Sequence, residues 1–275
     1  MRNRILITGA SSGIGEAAAY AFAQGRSRLF LVARRRERLR KIARICAEKG
    51  APLAIGRAHD LSLPGEGKSI VQECLRELGG LDVLVCNAGY GLLGPIAEVS
   101  PQAMARVWQV NYQSAYESIH EALPYFLDQG RGHIALVSSI IGKKGMPFSG
   151  AYCATKFAQV GLGEALWGEL KGTGVGVTIV CPGATATEFQ PAAERPTGIS
   201  TGKVHGQDPA KVASILVEAV LRRRREVHLT ASGKFVLALD RVSPSLASHL
   251  MAWVGRKLRH GNARGSLKRK PREAS

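Results

Sequence analysis

Arg4-Ile-Leu-Ile-Thr8 runs directly into Gly9-Ala-Ser-Ser-Gly13-Ile-Gly15, and the reading of this stretch decides the fold. The first five residues form a short, β-rich apolar run of strand length. The next seven force a sharp turn, because glycine reaches positive φ and lets two backbones approach with no Cβ between them. A helix is predicted to open at the end of that turn, over about residues 13–25.

The rest of the chain repeats this rhythm. Further strands are predicted at 28–33, 52–57, 81–86, 132–138, 175–181 and 226–230, and further helices near 36–49, 63–78, 101–129, 150–172 and 208–224. Several of the strands are apolar almost continuously, as strands buried on both faces are. Alternation of this kind specifies an α/β fold: a doubly wound, Rossmann-type, mostly parallel sheet of about seven strands with helices on both faces. The predicted organisation is one dinucleotide-binding and catalytic domain over 1–230, a helical appendage over 231–260 and a basic, disordered tail over 261–275.

Composition agrees. A chain of 275 residues with 45% hydrophobic content can bury a core without disulfides or metal. The five cysteines (Cys46, Cys74, Cys86, Cys153 and Cys181) contain no Cys-x-x-Cys pair, so neither a disulfide framework nor a metal site is expected. They read as small buried hydrophobes in a reducing, cytoplasmic setting. The apolar run after the basic start is too short for a signal peptide, and no window is long and apolar enough to cross a bilayer. The net charge of +17 concentrates at 34–44, 222–225 and 256–272. Solvated helix faces and a basic tail account for it. A nucleic-acid or anionic-membrane patch is the sharper alternative, although few aromatics interleave with the charges.

The turn after the first strand is a candidate phosphate cradle. A helix N-terminus presents unpaired amides and the positive end of its dipole to a pyrophosphate, so Gly9, Ser11, Ser12, Gly13, Ile14 and Gly15 are candidate ligands. Gly9-Ala-Ser-Ser-Gly13 also fits the Gly-x-Ser-x-Gly elbow of serine hydrolases. That elbow belongs deep in a sheet rather than after its first strand, and no downstream histidine stands out. The second strand ends in Ala33, where an acid would bond a ribose 2′-hydroxyl, and is followed by Arg34-Arg35-Arg36. Arg34 first, and Arg35 second, can pair with a 2′-phosphate, which selects NADP(H) over NAD(H).

Tyr152 and Lys156 stand four residues apart on a predicted helix and share one of its faces. Ser139 lies thirteen residues before Tyr152, at the end of an apolar strand. Reducing a ketone by hydride transfer leaves an alkoxide that must be protonated as it forms. A free tyrosine titrates near ~10, and an adjacent ammonium would bring it toward neutrality. A serine hydroxyl can steady the same oxygen.

At this point the sequence resembles the short-chain dehydrogenase/reductase family in its compact, single-domain form, over about residues 4–230. Thr8-Gly-x-x-x-Gly13-x-Gly15, Asp60-Leu61, Asn87-Ala88-Gly89, Asn111, Ser139, Tyr152-x-x-x-Lys156 and Pro182-Gly183 fall in the family's order and approximate spacing. The resemblance implies that Asp60 and Leu61 lie by the adenine and that Asn87, Ala88 and Gly89 support the sheet beside the cofactor. It implies that Asn111 holds a water in a proton relay to Lys156, and that Lys156 also bonds the nicotinamide ribose. Thr185 or Thr187 would approach the carboxamide, beyond Pro182 and Gly183. Cys86 departs from the asparagine of many relatives, with only a structural effect expected.

The expected activity is therefore an NADP(H)-dependent interconversion of an apolar carbonyl compound and its alcohol. An NADP(H)-binding sensor or a basic-surface binding protein on the same fold is the alternative. Residues 188–207, rich in Pro and Gly, read as a loop over the substrate, with Met146, Phe148 and Phe189 as candidate pocket residues. The apolar-basic segment 235–258 is expected to pack on the domain or in a homodimer or homotetramer interface, or to touch a membrane surface peripherally. No specific nucleic-acid partner is expected.

Overall fold

The computed structural model describes residues 3–189, 193–195 and 206–263, with side chains as far as Leu258. The first half runs β1 (Arg4–Thr8), α1 (Gly13–Gln24), β2 (Arg28–Ala33), α2 (Arg36–Glu48), β3 (Leu53–Ala58), α3 (Glu66–Leu78) and β4 (Val83–Cys86). After it come α4 (Pro101–Trp108), α5 (Ser114–Asp128), β5 (Gly132–Val137), α6 (Gly150–Glu169), β6 (Val175–Cys181), α7 (Pro209–Leu221) and β7 (Glu226–His228). Two helices, α8 (Ala231–Val242) and α9 (Pro244–Ala263), follow the last strand.

The strands form one seven-stranded sheet in the order β3-β2-β1-β4-β5-β6-β7, and every pairing is parallel. The period-2 alternation of side chains explains why the strands are apolar throughout. Ile5, Ile7, Leu29 and Leu31 face one core with residues of α1, α2 and α7. Leu6, Phe30, Leu84 and Ile134 face a second core with residues of α3 and α5.

The strand order reverses between β1 and β4, and ligands bind at the carboxyl ends of strands at such a point in open α/β sheets. Thr8 and Asn87 stitch these two ends together. The Thr8 hydroxyl accepts from the backbone amides of Asn87 and Ala88, each at 3.0 Å, and the Asn87 side-chain amide donates 2.9 Å to the Thr8 carbonyl.

Two elements differ from the sequence expectation. Residues 101–129 do not form one helix: a π-helical turn, Gln109–Gln113, separates α4 from α5 and carries Asn111. The apolar segment after 235 is two helices, because Ser243 leaves the helical conformation and Pro244 restarts the chain. The second of these continues to Ala263, so the tail expected to be disordered from 261 begins as helix, and residues 264–275 lie outside the described residues.

The pair packs back onto the body. Lys144 Nζ reaches Asp240 at 2.6 Å and Ser248 at 3.2 Å, and a Cβ on Gly255 would come within 2.9 Å of Pro147. No described helix is long and apolar enough to cross a membrane. Arg40, Arg44, Arg222 and Arg224 pair with Glu37, Glu48 and Glu218 on exposed faces, which fits solvated surface charge.

Candidate active site

The glycine turn is closed around absent side chains. Gly9 and Gly13 have φ of 67° and 58°. A Cβ on Gly15 would collide with the Gly9 carbonyl oxygen and sit 2.5 Å from Asn87 Nδ2, and one on Gly13 would sit 2.9 Å from Thr187 Cγ2. Ser12, at the N-cap of α1, makes no side-chain capping bond, which leaves the first-turn amides of the helix to a ligand. These features fit a dinucleotide pyrophosphate, and Gly9, Ser11, Ser12, Gly13, Ile14 and Gly15 would hold it. Gly15→Ala is expected to weaken dinucleotide binding at least about tenfold, since neither the carbonyl nor the β4 end can yield without breaking the stitch between strands. Fluorescence titration checks this, and unchanged affinity would contradict the cradle.

Arg35 lies over that turn. Its guanidinium donates to Ser11 Oγ at 3.0 Å and 3.2 Å and to the Ser11 carbonyl at 3.2 Å. It also meets Glu188 at 2.7 Å, and Arg38 meets the other oxygen of the same carboxylate at 2.5 Å. The paired guanidinium groups hold Glu188 below the usual carboxylate range. Two arginines at i and i+3 thus clamp one anion at the edge of the cradle. Arg38 escaped the sequence reading, and its i,i+3 spacing from Arg35 was the available signal. Arg34, favoured from sequence, is exposed and lies near Asp60, whose pKa is lowered by the Ser62 backbone bond and less so by the Arg34 charge. Ser11 Oγ is engaged by a guanidinium, which cannot serve as its base, so the hydrolase reading finds no support.

The remaining cofactor-side residues gather along the same strand ends. Asp60 accepts from the amide and hydroxyl of Ser62, and Leu61 is buried. Asn87 and Ala88 close the switch point, and a Cβ on Gly89 would sit 3.1 Å from Asn111 Oδ1 and 3.5 Å from Lys156 Nζ. The Pro182 carbonyl accepts from Ile140 N, and Gly183 leaves room for Thr230. Thr187 stands against the glycine turn, whereas Thr185 bridges to Gln207. Of the loop expected over the substrate, residues 190–192 and 196–205 lie outside the described residues.

The candidate reactive pair, Tyr152 and Lys156, is on α6. Gly150 starts this helix, and its first turns bring Tyr152, Thr155, Lys156 and Gln159 into the interior. Tyr152 is 8% exposed and Lys156 3% exposed, with Lys156 Nζ 5.7 Å from the centre of the Tyr152 ring. Phe189 stands against Tyr152 with ring centres 5.4 Å apart. Ser139 follows β5, is half-buried, caps a short 3-10 turn (Ile140–Gly142) and approaches the Pro182 carbonyl at 3.4 Å. Asn111 is buried, with its side chain held by both backbone groups of Tyr90 and by Thr155 Oγ1.

The electrostatics differ from the simple expectation that Lys156 lowers Tyr152. Burial dominates both groups: the Tyr152 phenol is pushed up, and the Lys156 ammonium is brought down to about 7. Tyr152 is therefore protonated at neutral pH, and the ammonium's influence on it is weakest where Lys156 is uncharged.

Comparison with known proteins agrees with this geometry. Residues 3–197 match the short chain dehydrogenase family. The chain is 30% identical over 258 residues to the ketoacyl reductase HetN of Nostoc sp., covering 91% of this chain and 88% of that protein. It is 31% identical over 268 residues to dehydrogenase/reductase SDR family member 7B of Bos taurus, covering 93% and 82%. Among solved structures it resembles an alcohol dehydrogenase from Thermococcus sibiricus complexed with 5-hydroxy-NADP. The TM-score there is 0.72 at 27% identity, over 83% of this chain and 96% of that one. Fold, motif order and sequence match thus converge, and the chain belongs to the short-chain dehydrogenase/reductase family of oxidoreductases.

Proposed function

We propose that this oxidoreductase uses NADP(H) to interconvert an apolar ketone or aldehyde and its alcohol. The observation that carries the proposal is the placement of buried Tyr152 and Lys156 on one helix face, with Lys156 Nζ beside Gly89 just past the end of β4 at the sheet's switch point. The bound nicotinamide would supply or accept the hydride. Tyr152 acts at the substrate oxygen, giving its proton as the carbonyl becomes an alcohol and taking one in reverse. Its burial-raised pKa leaves it protonated near neutral pH, which suits the donor role. Ser139 hydrogen-bonds the same oxygen and steadies its developing charge.

Cofactor choice rests on the arginines. The 2′-phosphate of NADP(H) would compete with Glu188 for Arg35 and Arg38, with Arg34 adding charge beside it. The complex of the Thermococcus sibiricus relative with 5-hydroxy-NADP supports the same choice. An apolar substrate is supported by Phe189, whose ring stands against Tyr152 with ring centres 5.4 Å apart.

The appendage supports a homo-oligomer. Phe235, Val242, Leu246 and Trp253 are 64%, 86%, 56% and 46% exposed, apolar side chains that a second copy of the chain would cover. Peripheral contact with a membrane surface is the alternative use of the same ridge. The five buried, free cysteines support a reducing, cytoplasmic setting.

Titration with NADPH and NADH, followed by NADPH oxidation across a panel of aldehydes and ketones, tests the proposal. Tight NADPH-selective binding with turnover is expected. Binding without turnover would favour an NADP(H) sensor, and binding of neither cofactor would overturn the proposal.

A further inference from the structure

Lys156 is tethered at two points. Its Nζ donates 2.9 Å to the Val137 carbonyl and 2.9 Å to Gln159 Oε1. Gln159, wholly buried one turn further along α6, donates from Nε2 to the Asn111 backbone carbonyl at 2.7 Å. Both ends of one side-chain amide are therefore used inside the site. Asn111 itself sits on the π-helical turn, a distortion that recurs where helices carry functional groups. The family resemblance implied a water on Asn111, relaying to Lys156. Here the Gln159 amide reaches from the Asn111 carbonyl to Lys156.

We propose that Gln159 is a positioning residue whose amide joins the Asn111 carbonyl directly to the Lys156 ammonium in place of a bridging water. The inference rests on the assignment of Lys156 to the active site. The chemistry of the link differs from that of water. A water can exchange donor and acceptor roles as a proton passes, whereas the amide nitrogen only donates and the amide oxygen only accepts. Gln159 fixes Lys156 and itself passes no proton to the Asn111 carbonyl, so the proton that restores Tyr152 after each reduction must enter by a route other than this amide.

Among the described residues, Gln159 is the one side chain that accepts a hydrogen bond from Lys156. Lys156 faces Tyr152 on its own helix, Cys86 of β4, Cys181 of β6 and the Val137 carbonyl of β5. Burial pushes both thiols up to about 12, so neither supplies a counter-charge near neutrality. No carboxylate bonds Lys156 among the described residues. Its polar neighbours there are one backbone carbonyl and the Gln159 amide.

The first test needs no cofactor. An unfolded lysine keeps its proton to about 10.4, while the buried Lys156 loses it near about 7. Between these values the unfolded state binds more protons, so this group makes stability rise with pH from about 7 to 10. Gln159→Glu places a carboxylate on the ammonium and raises its folded-state pKa, so urea unfolding should show a flatter rise over that window. Gln159→Leu removes the acceptor, so the rise should begin at lower pH. Identical pH dependence in wild type and Gln159→Glu would overturn the proposal, and this pair suffices where Gln159→Leu fails to fold.

The second test is kinetic. Alanine leaves a polar space in which a water can bridge Asn111 and Lys156, whereas leucine fills the volume with no polar atom. Gln159→Leu should lower kcat about tenfold or more, and Gln159→Ala should lose less, because a water can replace part of the link. A packing role predicts the reverse order, because leucine preserves volume and alanine leaves a cavity. Leucine equal to or better than alanine would overturn the proposal. If wild type binds no NADPH and reduces no carbonyl while the pH dependence shifts as expected, the functional assignment fails and the Gln159 link stands.

Discussion

Tyr152→Phe should lower kcat for carbonyl reduction by about 10²–10⁴-fold, while NADPH affinity changes less than about twofold. The variant keeps the ring that packs against Phe189 and beside Lys156, so the site keeps its shape. It loses the one proton that burial holds ready at neutral pH. Steady-state kinetics with a direct binding titration separates the two effects. A Phe variant with near-normal kcat would remove Tyr152 from the chemistry, and an equal loss of cofactor affinity would make it a binding residue.

Arg35→Ala should raise the dissociation constant for NADPH by about 10–100-fold and leave that for NADH within about threefold, as expected for a lost charge-assisted contact to phosphate. Arg35 and Arg38 already hold the Glu188 carboxylate between them at the edge of the glycine turn. The same donors are oriented for a phosphate entering that place. Arg34→Ala should have the smaller effect, because Arg34 lies toward Asp60, whereas Arg35 bonds the glycine turn at Ser11. Titrating both variants with both cofactors checks the ordering. Equal losses for NADPH and NADH would show that Arg35 supports the turn rather than selecting the phosphate.

The fold was legible in the sequence because parallel strands buried on both faces leave uninterrupted apolar runs, as in Leu29–Ala33 and Ile134–Val137. The glycine turn was legible for a related reason: Gly9, Gly13 and Gly15 occupy positions where positive φ or close approach excludes a side chain. Other features left no local mark. The π turn at Gln109–Gln113 contains neither Gly nor Pro, and the helical pattern passes through it. Gln159 looks like any polar residue on a helix until α6 is seen to bury that face against Asn111. The low pKa of Lys156 also depends on burial by strands distant in sequence, β4, β5 and β6.

The central claim is hydride transfer from NADPH to a carbonyl carbon, and isotope transfer tests it most directly. NADPH bearing deuterium at both C4 positions would be incubated with the protein and the best carbonyl of the panel, and the product alcohol analysed by mass spectrometry. One deuterium on the carbinol carbon per NADPH consumed is the predicted result. An unlabelled alcohol, or no conversion of any carbonyl despite NADPH binding, would contradict the account.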